Sequence, residues 1–258
     1  TKLMALIDKA SLLMVPSTYE AGKLYNVLPS GNRAPDNKGG AGYDQTRADF
    51  DFDRGSNAAA TRINSSGLIE KYRENVLLQS NNFGTTWATT NASVTSGQSG
   101  YNGSSDAWLL EINGGTTAQN ISQSASNSGV QTFSVYLKAG TLNWSLLQLL
   151  DGASNPVAYF DLQNGALGNI AGGAVSALIE PAGNGYYRCS IQANGNITEG
   201  RIYTATADNN ITQSSGNIYI QNAQVESGLV ATDVLTSGAT TAKAGVLIDL
   251  PRINYDAN

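Results

Sequence analysis

Apolar and polar residues alternate in short runs along the second half of the chain, and turn-forming residues close each run. In residues 132–140 (TFSVYLKAG), Phe133, Val135 and Leu137 fall on one face of an extended chain and Ser134, Tyr136 and Lys138 on the other. That period of two describes a strand with one buried and one wet face. Three further runs share the make-up, β-branched or aromatic residues beside Gly, Asn or Ser: YFDLQNG (159–165), GNGYYRCSI (183–191) and IYIQNAQVESG (218–228). AWLLEI (107–112) predicts a strand with Trp108 and Leu110 on one face. NWSLLQLLD (143–151) is apolar on both faces and predicts a central strand. Residues 89–105 are nearly all polar and predict a loop with a short strand, and 118–128 predict a weak strand or a loop. No 11-residue window between 132 and 239 keeps helical spacing without an interrupting Gly or Pro. The pattern predicts an all-β chain of roughly eight to ten strands, an antiparallel β-sandwich of the jelly-roll kind.

Upstream the pattern changes. Leu3, Leu6, Ile7, Leu12, Leu13 and Met14 make an apolar start that suits a short helix or an extended packing arm, stopped at Pro16. Residues 29–44 are rich in Gly, Asn and Pro and predict loop. In DFDFDR (49–54), Phe50 and Phe52 alternate with Asp49, Asp51 and Asp53, an edge-strand pattern. Charge changes at the same place: residues 1–74 hold ten Lys/Arg and nine Asp/Glu, whereas 75–240 hold three and nine. The expected organisation is therefore an extended N-terminal segment with short strands (1–74), the sandwich (75–240) and a tail (241–258). The first segment is too short and too polar to build a core alone. Leu3, Leu6, Leu12, Leu13 and Met14 are expected to be buried against sister copies or other subunits, which would make this segment an anchor.

Composition excludes several chemistries. The chain has no histidine, which removes Ser–His–Asp and Cys–His catalysis. The single Cys189 can form no intrachain disulfide and is expected as a buried small hydrophobe. No apolar run approaches the ~20 residues of a membrane span, and MALIDKASLLMVP (4–16) is interrupted by Asp8 and Lys9, so neither membrane insertion nor a secretory leader is expected. A sandwich of formal charge −6 whose surface is Ser, Thr, Asn, Gln and Gly does not suit nucleic acid. Glycoside hydrolysis needs only two carboxylates ~5–9 Å apart, but none in the sandwich pair at i, i+2 along one strand. Solvated turn carboxylates are the favoured reading, and no catalytic residue is expected.

Two candidate binding sets remain. Asp49, Asp51 and Asp53 would stand on one strand face ~7 Å apart, and three aligned carboxylates can hold calcium. A charged outer face above Phe50 and Phe52, neutralised by Arg47 and Arg54, explains them without an ion and is the favoured alternative. No other cofactor is expected. Tyr101 in the polar loop SGQSGYNGSS, Trp108 and Tyr186 are candidate sugar-stacking side chains, since such rings join an apolar face to a polar tip. For Trp108, with its apolar strand neighbours, core packing is the stronger reading.

The four cassettes in their order resemble a β-sandwich module of tailed-phage virion proteins, a carbohydrate-binding-like fold. The resemblance continues upstream through NVLLQSNNFGTTW (75–87) and ADFDFDRGSNAAATRINSSGLIE (48–70), reaches LLMVPSTYEAGKLYNVLPSG (12–31), and closes with ATDVLTSGATTAKAG (231–245). This chain has Tyr186 where the family usually has Trp, and Gln221–Asn222 where it has Trp–Gly. The resemblance implies a non-enzymatic structural protein on the exterior of a virion assembled in the host cytoplasm, a head- or tail-exposed fibre, decoration or adhesin subunit. It further implies other virion proteins as partners, a homo-oligomer with a trimer favoured, and adhesion to host surface glycan. A tail polysaccharide depolymerase and a module with no ligand are the competing expectations.

Overall fold

The computed structural model describes residues 73–115 and 119–244 and, upstream, the backbone of five short strands. The chain forms two compact units, Arg73–Lys243 and Thr1–Tyr72 with Ala244–Asn258. In the second of these, β1 (Met14–Pro16) pairs antiparallel with β2 (Lys23–Asn26), β2 with β3 (Phe50–Asp51), and β4 (Thr61–Ile63) with β5 (Ile69–Lys71). Met14 opens β1 and Asp51 closes β3. Leu3, Leu6, Leu12, Leu13, Asp49 and Asp53 lie outside the described residues.

The larger unit is an antiparallel β-sandwich, and its described residues include no helix. It runs through β6 (Arg73–Asn75), β7 (Ala88–Thr90), β8 (Ala92–Gln98), β9 (Ala107–Ile112), β10 (Asn120–Ala139) and β11 (Trp144–Leu150). Then follow β12 (Val157–Asp161), β13 (Ala166–Ala171), β14 (Ser176–Gly183), β15 (Tyr186–Ala205), β16 (Asn217–Ser227) and β17 (Ala242–Ala244). β6 and β17 pair with each other, and the other ten strands share one hydrogen-bonded network.

Two strands of twenty residues, β10 and β15, make the sandwich. They pair along most of their length, with a register shift between Ser124 and Asn127 and Gly129 at φ +78°. An irregularity of this kind bends a strand instead of ending it. Before the bend, Asn120–Ser124 pairs with Glu199–Tyr203, flanked by β7 on one side and by β11, β12 and β13 on the other. Past it, the remainder of β10 pairs with the start of β15, flanked by β14 on one side and by β16, β9 and β8 on the other. One sheet is thus folded back on itself into two layers.

The inner faces meet in one core. Ile121, Leu147, Leu149, Phe160 and Ile202 come from the first layer, and Leu110, Phe133, Val135, Leu137, Ile191, Ile218 and Val225 from the second. Cys189 is buried in the same cluster, and desolvation holds its thiol well above the usual range, so it packs as an apolar group. The β14–β15 hairpin turns on Asn184 and Gly185, both at positive φ (49° and 78°), as its two-residue loop requires.

Of the two readings of 118–128, weak strand or loop, the structure shows strand: residues 120–128 belong to β10 despite their polarity, and Gln123 hydrogen-bonds a loop that crosses it. The Gln123 amide donates to the Leu78 carbonyl (2.8 Å) and accepts from the Leu78 N–H (2.6 Å), as a paired strand would. One expectation is corrected: the strand at 132–140 has no wet face over Ser134 and Tyr136, which are only 1% and 9% exposed. Residues of the 99–106 loop and of the segment after β16 cover them.

Candidate functional site

The outer face of the second layer is filled by the chain itself. Cross-strand register sets Tyr136 between Gln221 and Arg188, and Ser134 between Gln224 and Ser190. Tyr101 stacks flat on Tyr136, ring centroids 3.9 Å apart and 4° from parallel, and the Arg188 guanidinium lies 5.5 Å from the Tyr136 centroid. The Lys138 ammonium sits 5.4 Å and 5.6 Å from the Tyr186 and Tyr219 rings. Hydrogen bonds hold the 99–106 loop down: the Tyr186 hydroxyl donates to the Ser99 carbonyl (2.8 Å), and the Tyr101 N–H to the Gln221 amide oxygen (3.0 Å). The Gln221 amide donates to Asp106 (2.6 Å). Gly100 permits this approach, since a Cβ there would stand 2.5 Å from the Gln221 amide oxygen. Burial pushes the Tyr186 hydroxyl far above its ordinary range.

A hydrogen-bonded seam joins the entrance and exit of the sandwich. Asn75 is fully buried; its amide donates to the carbonyls of Ala223 (3.0 Å) and Leu235 (2.9 Å). Its oxygen accepts from the N–H groups of Leu77 (3.2 Å) and Val225 (3.1 Å). Ser80 accepts from the Ser237 N–H (2.8 Å), and the Ser237 hydroxyl donates to the Leu77 carbonyl (2.6 Å). The buried Glu226 carboxylate accepts from the Thr232 N–H (2.8 Å), the Thr232 hydroxyl (2.5 Å) and the Gln224 amide (2.6 Å). Arg188 donates to the Thr232 carbonyl (2.5 Å) and the Ser134 hydroxyl (3.1 Å). Asn75, Ser80, Arg188, Glu226 and Ser237 each pin backbone through their side chains, as buried polar groups should, although the Arg188 Nε itself has no partner among the described residues.

The outer face of the first layer is arranged differently. Leu146 stands between Tyr159 and Tyr203 in register, and Gln148 between Val157 and Arg201. The Tyr203 hydroxyl donates to the Gln148 amide oxygen (3.2 Å) and accepts from Arg201 (3.2 Å). Arg201 grips both oxygens of Glu199 (3.1 and 2.9 Å), with the two side chains 30% and 24% exposed. Trp144 packs at one end beside Leu146 and Tyr159. There Asp208 accepts the Asn169 N–H (2.8 Å), and a Cβ on Gly168 would lie 2.7 Å from the Trp144 ring and 2.6 Å from Asp208. Burial raises the Tyr159 hydroxyl, helped by the charge of Asp208.

Two carboxylates here respond to acid. Burial raises Glu199, but hydrogen bonds from Arg201 and Ser122 outweigh it and hold the group below its usual range. Asp151 is also lowered, by the N–H groups of Asn155, Ala153 and Ser154, which all donate to one oxygen. Both folded values lie below the unfolded ones, so their stabilisation is complete above the unfolded carboxylate range of about 4. It is lost as pH falls through the folded values. The urea midpoint should therefore be level from pH 7 to about 5 and fall below about 4. The double variant Glu199→Gln, Asp151→Asn should show a shallower fall, and an unchanged profile would contradict the assignment.

Of the expected sugar-stacking residues, the structure brings Tyr101 and Tyr186 into one cluster on the filled face. Trp108 is on the core side of β9, edge-on to Phe83 at 6.2 Å, with its indole N–H donating to the Asn81 carbonyl (2.9 Å). Among the described residues, no group of three or more His, Cys, Asp or Glu is placed to hold a metal ion. No helix among them is long and apolar enough to cross a membrane.

No protein-family model matches the chain, and no curated protein matches it. Solved structures similar to it include the enzymatically active domain of tailspike protein 4 of bacteriophage CBA120, with 17% identity and a TM-score of 0.34 over 60% of this chain and 21% of that one. The CBM22-1–GH10 modules of Clostridium thermocellum endo-1,4-β-D-xylanase 10B, solved with xylohexaose, show 11% identity and a TM-score of 0.34 over 62% and 29%. The chain thus spans about a fifth and under a third of the lengths of those two. Likeness of this degree carries no inference about ligand or activity.

The first layer's outer face had a signal in the sequence. Glu199, Arg201 and Tyr203 follow one another at i, i+2 and i+4, so one strand face carries all three. A pattern of paired carboxylates does not include the set, which holds one carboxylate beside a cation and a phenol.

Proposed function

We propose that the chain is a non-enzymatic structural subunit of a tailed-phage virion, a head- or tail-exposed fibre, decoration or adhesin protein. Residues 1–74 anchor it and bring copies together, a trimer being the favoured assembly, and the sandwich projects outward to meet host-surface glycan. One observation supports this reading most. The stretches that carry the phage resemblance at the two ends of the sandwich, NVLLQS and AQVESG with its following ATDVLTSG, fold into a single seam through Asn75, Ser80, Glu226 and Ser237. The resemblance thus follows residues that act as one structural unit.

The non-enzymatic part draws on how the carboxylates are used. Asp151 and Asp161 cap turns, Asp208 holds the Asn169 N–H, Glu226 holds Thr232, and Glu199 is paired with Arg201. A general acid or a nucleophile needs a carboxyl group free to meet substrate and a second one beside it. The exposed Glu111, Glu180 and Asp233 lie on β9, on β14 and in the segment after β16, so no two of them share a strand. Incubated with host capsule or lipopolysaccharide, the protein should release no new reducing ends while remaining bound to cells. Reducing ends that accumulate with time and enzyme concentration would overturn the reading in favour of a depolymerase.

A further inference from the structure

We propose that the outer face of the first layer, formed by Trp144, Tyr159, Gln148, Tyr203, Arg201 and Glu199, is a binding site for a neutral oligosaccharide. The proposal rests on the glycan-adhesion part of the reading above and gives it a location. The two outer faces differ in what occupies them. On the second layer, Tyr101 covers Tyr136 and the Thr232 segment is strapped across Glu226 and Arg188. On the first layer Leu146, Tyr159 and Tyr203 are packed in a buried cluster that Ile211 joins, and around it Trp144, Val157, Gln148, Arg201 and Glu199 keep part of their surface in solvent.

The chemistry of that face matches a sugar. From Trp144 through Leu146 and Gln148 to Leu150, alternate residues of β11 span about 20 Å along the strand, and adjacent strands widen the strip. Trp144 supplies a partly exposed ring at one end, the kind of flat apolar surface on which the C–H face of a pyranose packs. Gly168 is what leaves room for that ring against β13. Beside it stand hydrogen-bonding groups whose directions are already set. Tyr203 holds the Gln148 oxygen, so the Gln148 NH2 points away from it with no partner among the described residues. Glu199 and Tyr203 orient the Arg201 fork and, among the described residues, leave a further N–H donor on each of its two terminal nitrogens without a partner. Tyr159 is 8% exposed, and its hydroxyl makes no hydrogen bond among the described residues. Fixed, planar donors and acceptors next to an aromatic ring recognise hydroxyl pairs with little loss of side-chain freedom.

Charge selects the class of sugar. Glu199 cancels the charge of Arg201, and Asp208 beside Trp144 adds a negative one. Such a face does not attract phosphate or nucleic acid and repels uronic and sialic acids, so a neutral hexose, pentose or N-acetylhexosamine chain is the occupant it fits.

The test uses the whole chain in calorimetric titration against xylohexaose, cellohexaose, maltohexaose, mannohexaose and chitohexaose, with hexagalacturonate as the acidic probe. At least one neutral hexamer should bind and hexagalacturonate should not. Trp144→Ala and Gln148→Ala should each weaken the bound hexamer at least tenfold. Lys138→Ala, on the opposite outer face, should leave it unchanged. Gln148 is partly exposed, so its variant guards against a folding failure at Trp144, and thermal unfolding checks both. If a neutral hexamer binds but neither variant weakens it, the site is wrong while glycan adhesion stands. Should no hexamer bind and the protein also fail to adsorb to host cells, the adhesion reading fails and the site with it. Adsorption to host cells without binding to any neutral hexamer, or preferential binding of hexagalacturonate, overturns the neutral-sugar assignment alone.

Discussion

Replacing Phe133 with Ala should destabilise the sandwich by about 3–5 kcal/mol, the range for removing a buried aromatic from a packed core. Phe133 is fully buried and lies opposite Ile191 on β15 and Val225 on β16. Its ring also reaches across the bend: a Cβ built on Gly200, in the first-layer half of β15, would be 3.5 Å from the ring tip. The side chain therefore ties the two layers together, and neighbouring rigid strands cannot collapse into the space it leaves. Urea denaturation of the wild type and the variant, with the slope compared between them, measures the loss. A change within 0.5 kcal/mol would show that Phe133 does not face the core.

Asn75→Ala should cost a similar amount, about 3–5 kcal/mol, through hydrogen bonding instead of packing. The variant strands the carbonyl of Ala223 and the N–H groups of Leu77 and Val225 in a buried place, and the carbonyl of Leu235 in a half-buried one. Each unsatisfied buried group costs about 1–3 kcal/mol, and relaxation or a trapped water recovers part of that. Because the two N–H groups that Asn75 holds come from separated stretches of chain, the loss should also appear as faster hydrogen exchange at Leu77 and Val225 together. If exchange rises at only one of them and the urea midpoint barely moves, Asn75 does not hold the seam.

How far the sequence reveals this fold depends on what each side chain buries. Residues 132–140, 183–191 and 218–228 read as strands because their inward residues, from Phe133 to Val225, are apolar at period two. The first half of β10 does not, because Asn120, Ser122 and Gln123 are buried against hydrogen-bonding loops, and periodicity of hydrophobicity has nothing to register there. The filled outer face is hidden for another reason: Tyr101, Tyr136 and Thr232 meet only through tertiary folding, at separations no local pattern encodes. The candidate glycan face lies between these cases. Its β15 members share an alternation visible in the sequence, whereas Trp144, Gln148 and Tyr159 join them only through the pairing of β11 with its two neighbours.

The central claim is that this chain is carried on the outside of a virion, and purified particles test it most directly. Particles from an infected culture should contain the chain in a fixed copy number, a multiple of three for a trimeric projection. An antibody raised against residues 73–243 should label the exterior of intact particles in immunogold electron microscopy. Absence of the chain from purified particles, with the protein recovered only in the soluble lysate, would contradict the account.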